Sequence, residues 1–404
     1  MNIIFLGLVS FFIDLSTHMV YPLVPLYLVA AFGASPALIG TIEGIAESAA
    51  SLLKVFSGYA TDRFKKKKAL AFAGYVPAVI YKLVLIFAVT WVGVLAARVI
   101  DRVGKGIRTS PRDVLIAESS DKKKMGGSFG LHKTLDMLGV ALGILITYFV
   151  ILNMGDAPDF QPIFVISIVP SVLGLFMFIF IKEKKRQNVE KTSQSMEPKS
   201  KDSKSKDSKS NESKSKEPFW KNAGKIDSQL KLYLFVVFLF TLGNSSNVFI
   251  LLRAQSIGIS AANVILLYFI YSMTASILSM PLGRLSDRIG RKNLLVPGYL
   301  TFSICYLGFA FVTNQWAMVA VFVAFGIYTA MISGVERAYV SEIAPPELKG
   351  TMLGLQATTA GIALLPASVI AGVMWDAFGP AVPFIFGASL SFVAAVVLIV
   401  FMKN

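Results

Sequence analysis

Basic residues recur at helical spacing in one stretch of the sequence. At intervals of four, three, three and four positions, the stretch contains Arg98, Arg102, Lys105, Arg108 and Arg112. On an α-helix this spacing places the side chains on one face, and Gly104 and Gly106 remove bulk beside it. Guanidinium and ammonium groups bind carboxylates and phosphates. We therefore predict a face that binds an anionic or zwitterionic solute, unless acidic side chains already pair with every cation on it.

Acidic and imidazole side chains occur as pairs four residues apart, which also share a helix face. Besides the lone Asp101 inside the basic stretch, the pairs are Asp14 with His18, Glu43 with Glu47, and His132 with Asp136. We expect them to meet the basic face, where Glu43 and Glu47 could serve only to neutralise its cations. Histidine titrates near neutral pH. A carboxylate beside an arginine stays ionised, whereas one in apolar surroundings holds its proton more tightly. Glu47 and Asp14 are therefore candidate proton carriers if their arginine partners are distant.

Neutral side chains complete the candidate site. Tyr21 follows His18 by three positions and could contact a substrate, and the second half of the chain offers Asn244, Asn247 and Gln356. The sequence lacks a Walker motif, a nucleophile elbow and a metal-ligand cluster. We therefore predict neither an enzyme nor ATP-driven transport, and no bound metal or other cofactor. The two histidines and the carboxylates leave transport of a metal or metal chelate open.

The elements that carry these residues are membrane spans. The 404 residues are 55% apolar and 16% charged, with a mean hydropathy of +0.65, which excludes a soluble enzyme, a disordered chain and a collagen-like fibre. About 20 mostly apolar residues make one helical crossing. We predict an all-α integral membrane protein with twelve transmembrane helices, at about residues 3–32, 36–60, 69–89, 91–118, 125–152, 161–182, 230–254, 260–284, 293–313, 315–343, 349–374 and 379–402.

The distribution of charge between the loops predicts the orientation. The net charge is +15, and the basic residues lie in alternate loops, while the short loops between them, such as 33–36, 257–260 and 313–315, lack Lys and Arg. The positive-inside rule then places both termini and the basic loops in the cytoplasm of a bacterium, with the protein in its inner membrane. The basicity serves orientation and contact with anionic lipid, and no nucleic acid is expected as a partner.

One polar stretch divides the chain. Residues 183–228 are rich in Lys, Ser and Asp and include KSKDSKSKDSKSNESKSKEP, a composition that cannot bury a core and predicts a disordered cytoplasmic linker. The linker separates a six-helix bundle over 1–182 from a second one over 229–404.

The two bundles are predicted to be repeats. Gly58 and Asp62-Arg63 recur 225 positions later as Gly283 and Asp287-Arg288. Glu118 recurs 224 positions later as Glu342. Internal repeats are typical of secondary transporters, whose substrate site lies near the bilayer midplane where the repeats meet.

Twelve spans, a long central loop and Gly-x-x-x-Asp-Arg after helices 2 and 8 resemble the major facilitator superfamily. The resemblance implies two pseudo-symmetric bundles that rock around a central site, with helices 1 and 4 lining it. It also implies that a gating motif pairs with the opposite bundle and holds the outward-facing state. The matching residues are Gly58, Asp62, Arg63, Gly283, Asp287, Arg288 and Arg291.

Helix 4 carries a second resemblance. Arg98 and Gly104 match the family's proton-antiporter motif R-x-x-Q-G-x-G, with Asp101 and Arg102 in place of Gln and Gly. The match implies proton coupling. The longer stretch Asp101-Arg-Val-Gly-Lys-Gly-Ile-Arg-Thr-Ser-Pro-Arg-Asp113 is similar to one found in a prokaryotic group of the family.

We accordingly predict a monomeric secondary transporter that moves a small organic anion or zwitterion, coupled to protons and driven by the proton gradient. Its partners are the solute, protons and the lipid bilayer. The alternatives are a drug or metabolite proton antiporter, a transporter of a metal or metal chelate, and a non-transporting membrane sensor that signals through the linker.

Overall fold

The computed structural model describes residues 2–63, 67–120, 125–154, 159–182, 228–344 and 349–402. Within these ranges the regular structure is helical. In chain order the helices are α1 (Asn2–Val20), α2 (Leu23–Phe32), α3 (Pro36–Arg63), α4 (Lys67–Tyr75), α5 (Pro77–Ile86), α6 (Trp91–Ser119), α7 (Met125–Leu152), α8 (Gln161–Phe178), α9 (Ser228–Gly243), α10 (Val248–Ser256), α11 (Ala261–Ile289), α12 (Arg291–Phe311), α13 (Gln315–Ile332), α14 (Val335–Ile343), α15 (Lys349–Phe378) and α16 (Val382–Phe401).

These helices form the expected twelve crossings, because four crossings consist of two helices separated by a short break. The breaks lie between α1 and α2, α4 and α5, α9 and α10, and α13 and α14. Pro22 and Pro77 account for the first two, since proline lacks the N–H that continues a helix. Gly334, with φ of +132°, accounts for the last.

Ten of the crossings in the described ranges are long and apolar enough to span a membrane. The other two, α3 and α6, are long enough at 28 and 29 residues, but they carry the acidic pair Glu43 and Glu47 and the basic stretch. The two helices pack against each other, so their charges face protein rather than lipid.

Two predicted boundaries were wrong in an informative way. The eighth crossing was expected to end at residue 284, but α11 continues to Ile289 and ends at Gly290, whose φ is +93°. The motif from Gly283 to Arg288 is therefore helical and does not lie in a loop. The sixth crossing was expected to reach residue 182, whereas α8 ends at Phe178.

The predicted repeat is visible in matching ion pairs. In the first half, α1–α8, Lys67 pairs with Glu118. In the second half, α9–α16, Arg291 pairs with Glu342 at 3.2 Å. Both members of the second pair stand 224 positions after those of the first. The predicted linker, 183–228, lies outside the described residues except for Ser228, at which α9 begins, so the division into two domains stays a prediction.

The two halves meet mainly through α3 with α15 and α7 with α11. We call the end of the helices with the turns at 33–35, 257–260 and 312–314 the non-basic end, and the opposite end the basic end. At the non-basic end the Ala37 N–H donates to Asp376 Oδ2 at 3.1 Å. Near the middle of α3, Ser48 Oγ donates to the Gly361 carbonyl at 2.7 Å. Towards the basic end, Gly283 and Gly354 face open space. The interface is therefore closed at the non-basic end.

Candidate functional site

A polar cavity of about 190 Å³ lies between the halves. The first half contributes nine of its lining residues and the second half contributes two. The lining comprises Asp14, Thr17, His18, Tyr21, Glu47, Asp101, Arg102, Lys105, Arg108, Asn247 and Tyr268. The structure thus brings most of the predicted site residues together around one space. It places Glu43, Arg98, His132, Asp136, Asn244 and Gln356 outside this lining.

Arg98 and Glu43 form a closed ion pair behind the cavity wall. Arg98 Nε lies 2.7 Å from Glu43 Oε1, and its terminal nitrogen lies 2.7 Å from Oε2. Both side chains are buried, at 0% and 1% exposure. The Arg98 guanidinium also stacks on Tyr21, 5.1 Å from the ring centroid. Through these two hydrogen bonds and the ring contact, Arg98 is placed to hold α6 against α3 and support Tyr21.

Arg102 is neutralised one helical turn further along. Its guanidinium lies 2.8 Å from Glu47 Oε1 and 3.7 Å from Asp101 Oδ2. Asp101 also lies 3.8 Å from Arg98. Glu47 was a candidate proton carrier only if its arginine partner is distant. That condition is not met in this structure. Glu47 balances the charge of Arg102.

Lys105 and Arg108 are different, because no carboxylate among the described residues lies within 4 Å of either cation. Lys105 is exposed to the cavity. Arg108 is 5% exposed, stacks on the Tyr75 ring at 5.1 Å, and keeps one terminal nitrogen without a hydrogen-bond partner. Arg112 pairs with the neighbouring Asp113 at 2.9 Å. The basic face is therefore divided into three neutralised arginines and two cations available to a ligand.

The carboxyl groups of Asp14 and Asp136 lie close together between α1 and α7 and interact electrostatically. Glycines bring these helices close together. A Cβ at Gly139 would overlap the Phe11 carbonyl, and one at Gly143 would overlap the Leu15 carbonyl. Asp14 lies between those two positions on α1, and Asp136 lies one turn from Gly139. Lys133 reaches the other side of Asp136 at 3.3 Å.

His132 and His18 have different surroundings. His132 is buried, and its Nε2 lies 2.9 Å from Ser10 Oγ, so it joins α7 to α1 outside the cavity. His18 lines the cavity, its ring stacks on Tyr268 at 6.5 Å, and its Nδ1 has no hydrogen-bond partner. Only His18 is placed to touch a substrate.

The second half forms the opposite wall with Asn247 and Tyr268. Asn247 donates to the Tyr271 hydroxyl at 3.3 Å, and the Tyr268 ring lies 5.7 Å from that of Tyr21. Asn244 instead donates to the Tyr328 hydroxyl at 3.0 Å. Gln356 is buried at 7% exposure.

Sequence reasoning missed Thr17 and Tyr268 in the cavity wall. Thr17 was detectable, since it lies three residues after Asp14 and four before Tyr21 on the same helix face. Tyr268 belongs to a stretch of α11 without charges, and no pattern in that stretch distinguishes it from packing residues.

The gating motif makes its observed contacts within one half. Arg291 lies 3.5 Å from Asp287 and 3.2 Å from Glu342, and it donates to the Ala338 carbonyl at 2.7 Å. Arg288 is exposed. Gly58 has only Ser110 Oγ near its Cβ position, at 3.7 Å. The side chains of Asp62 and Arg63 lie outside the described residues. The contacts of Arg291 differ from the expected pairing with the opposite bundle, as fits an interface closed at the non-basic end.

Comparison with known proteins is informative about the whole chain. A family model described as "Major Facilitator Superfamily" matches residues 6–252 and 233–404. An uncharacterized MFS-type transporter of Methanocaldococcus jannaschii, MJ1317, is 32% identical over 404 residues, which cover 98% of this chain and 94% of the relative.

Two further matches are more limited. The multi-drug resistance efflux pump PmrA of Streptococcus pneumoniae serotype 4 is 27% identical over 133 residues, 33% of each chain. The crystal structure of the nucleoside transporter NupG superposes with a TM-score of 0.76 over 100% of this chain and 99% of its own, at 11% identity. That likeness is one of fold.

Proposed function

The chain belongs to the Major Facilitator Superfamily, and from this premise we propose that it is a secondary transporter that moves a small organic anion or zwitterion together with a proton. The observation that carries the proposal is the pair of cations Lys105 and Arg108, which face a cavity between the halves without a carboxylate partner among the described residues. Arg108 is 5% exposed, an unpaired buried cation is costly, and an anionic ligand offsets that cost.

The remaining wall suits a small acid. A cavity of about 190 Å³ is smaller than the roughly 300–1,000 Å³ typical of drug-sized ligands. Thr17 Oγ1 and His18 Nδ1 are buried without partners, so each offers a hydrogen bond to the solute. Asn247 and Tyr268 bring the second half into contact with the same ligand. Binding of the solute therefore depends on the distance between the halves.

The Asp14–Asp136 pair is the proposed proton site. Two carboxyl groups in contact do not both ionise readily, since their like charges repel, so the pair is suited to hold one shared proton. Losing that proton adds a negative charge beside Lys105 and Arg108, both of which interact electrostatically with Asp14. An anion then binds best when the pair is protonated, which couples the two ligands.

Replacing Lys105 or Arg108 by glutamine is expected to weaken anion binding by about 10- to 100-fold, because a charge-assisted hydrogen bond contributes about 1.5–3 kcal/mol. The measurement is competition by isethionate, succinate and glycine against a radiolabelled member of the same set in proteoliposomes. Lys54→Gln is the matched control, since Lys54 lies on α3 outside the lining. Unchanged affinity in both Lys105→Gln and Arg108→Gln would contradict the assignment.

Asp14→Asn and Asp136→Asn are each expected to make anion binding independent of pH over the range in which the wild type responds. Both amides keep the shape of the pair but remove the shared proton. Exchange of anion for anion should continue in these variants, while uptake against a gradient should be lost. Asp113→Asn serves as a control with a half-exposed carboxylate. A wild-type pH response in both pair variants would refute the proton site.

The basic end is proposed to face the cytoplasm, by the positive-inside rule, in the inner membrane of a prokaryotic cell. The structure, closed at the non-basic end, is then an inward-facing form. Alkaline phosphatase fused after Ile257 should be active in the periplasm, and a fusion after Lys182 should be inactive. The reverse pattern would invert the proposed topology.

Proton-driven efflux is a second candidate, favoured by the local similarity to PmrA. It uses the same cavity and proton site with opposite directions of solute and proton. The sign of the pH change on adding solute distinguishes it from uptake.

A further inference from the structure

A second polar cluster lies inside the second half, away from the cavity. Its centre is Glu336, the second residue of α14, whose Oε1 accepts a hydrogen bond from the Tyr299 hydroxyl of α12 at 2.9 Å. Tyr233 of α9 and Tyr328 of α13 are also neighbours of this carboxyl group. The cluster has no role in the anion and proton sites proposed above.

No cation among the described residues forms an ion pair with Glu336. On α12, Arg291 is bonded to Ala338 and Glu342 instead, and Lys292 donates to the Met402 carbonyl. On α9, Lys231 is exposed. In α15 the side chains of 352–378 are described, and the ionisable residue among them is Asp376, at the end of the helix far from α14. In α13 the ionisable residue is Tyr328. On α14 itself, Arg337 is exposed and interacts with Glu336 only electrostatically.

The equivalent position in the first half does not carry an acid. At the 224-residue offset Tyr299 corresponds to Tyr75, and Glu336 corresponds to Arg112. The first half thus has a permanently charged arginine, paired with Asp113, where the second half has a group that can gain and lose a proton. Glu336 is half-buried, and an acid inside a membrane protein without a cation partner is costly and usually marks a function.

The helix that carries Glu336 is held to α12 at two points. Tyr299 holds its first turn through Glu336, and Arg291 holds its last turns through the Ala338 carbonyl and Glu342. Before it, the chain breaks at Gly334, whose φ of +132° is open to glycine and strained for other residues. Arg291 also contacts Asp287 of the gating motif. A change at Glu336 is therefore connected mechanically to that motif.

We propose that Glu336 is a proton-binding site of the second half, separate from the cavity, and that its proton controls how firmly α14 is held on α12. Ionised Glu336 accepts a charge-assisted hydrogen bond from Tyr299, which is roughly twice as strong as the neutral bond that remains after protonation. That bond offsets only part of the desolvation cost of a carboxylate without a cation partner, so ionisation loosens the first turn of α14 and proton uptake tightens it.

The proton itself is detected by infrared spectroscopy of the purified full-length protein in liposomes, titrated in H₂O and D₂O. The wild type should show a carbonyl band of a protonated carboxyl group that disappears as the pH rises, is missing in Glu336→Gln and persists in Asp14→Asn. Glu342→Gln, on the same helix with a 57% exposed side chain, should keep the band. A titrating band that is the same in Glu336→Gln and the wild type would overturn the site.

The effect of the proton on α14 is measured by amide hydrogen exchange. The exchange rate of 335–343 is divided by that of 315–332, and this ratio removes the intrinsic pH dependence of exchange. In the wild type this ratio should rise by about fivefold from low to high pH, a factor that corresponds to about 1 kcal/mol. Glu336→Gln, which stays neutral, should show the low ratio at both pH values. A ratio in the wild type that does not depend on pH would overturn the control of α14.

Two further variants keep the test decisive. Tyr299→Phe removes the hydrogen bond that offsets part of the charge and leaves Glu336 in place, so it should enlarge the rise at high pH even if Glu336→Gln fails to fold. Asp14→Asn disables the proposed cavity proton site and should leave the response of α14 intact. Loss of the response in Asp14→Asn alone would assign it to the cavity and refute Glu336.

Discussion

Glu43→Leu should destabilise the purified protein by about 3–5 kcal/mol, the cost of removing one partner from a buried ion pair. The change leaves the Arg98 guanidinium, at 0% exposure, with Asp101 at 3.8 Å as its nearest carboxylate. The measurement is the free energy of unfolding in denaturant, or the shift in melting temperature, of the detergent-solubilised protein. Both members of the pair are buried, at 0% and 1% exposure, and their closest approach is 2.7 Å.

Two comparisons separate this effect from simple loss of packing. The double variant Glu43→Leu with Arg98→Met removes both charges and should be more stable than Glu43→Leu alone. Glu47→Leu is the matched control on the same helix, since Glu47 is 30% exposed and Arg102 keeps Asp101 at 3.7 Å. A double variant no more stable than Glu43→Leu would show that Arg98 and Glu43 do not act as a pair.

Gly372→Leu should shift the protein away from the form closed at the non-basic end. A Cβ at Gly372 would lie 2.5 Å from the Pro36 carbonyl oxygen and 2.6 Å from Ala37 Cα, so a side chain there forces α15 from α3. Overpacking of this kind costs about 1–3 kcal/mol, which changes the ratio of two conformations by about 5- to 150-fold. Gly40, where a Cβ would overlap the Ser368 carbonyl, should behave in the same way.

The shift is measured by labelling Asn247→Cys with a membrane-impermeant thiol reagent from the non-basic side, after Cys305, the one cysteine of the sequence, is replaced by Ser. Labelling should be slow in the parent and at least fivefold faster with Gly372→Leu. Gly354→Leu, on the same helix but facing open space, should leave it slow. Equal labelling in all three proteins would contradict the proposed gate.

The two ion pairs between α3 and α6 could be predicted from the sequence. Helices two and four run in the same direction across a membrane, so acids four residues apart on one can meet arginines four residues apart on the other. Glu43 with Arg98 and Glu47 with Arg102 do so. The sequence did not show that these pairs leave Lys105 and Arg108 without carboxylate partners. The spacing of residues along one helix predicts which of them share a face, but it does not predict how far along the axis the acids of a neighbouring helix lie.

The Asp14–Asp136 contact could not be predicted for a related reason. Its residues were predicted as members of separate pairs on their own helices, yet the contact depends on how closely Gly139 and Gly143 allow α7 to approach α1. Similarly, nothing in the apolar pattern of 315–343 indicates that Gly334 divides this crossing and places Glu336 against Tyr299.

Proton movement in proteoliposomes tests the central claim most directly. The protein is reconstituted with an internal pH dye, and isethionate, succinate or glycine is added outside, with protein-free liposomes as the control for passive entry of weak acids. Coupled uptake predicts that at least one solute acidifies the lumen, that Lys105→Gln removes the signal, and that Asp14→Asn removes it while anion exchange continues. Solute uptake without any pH change, or a pH change that survives both substitutions, would contradict the account.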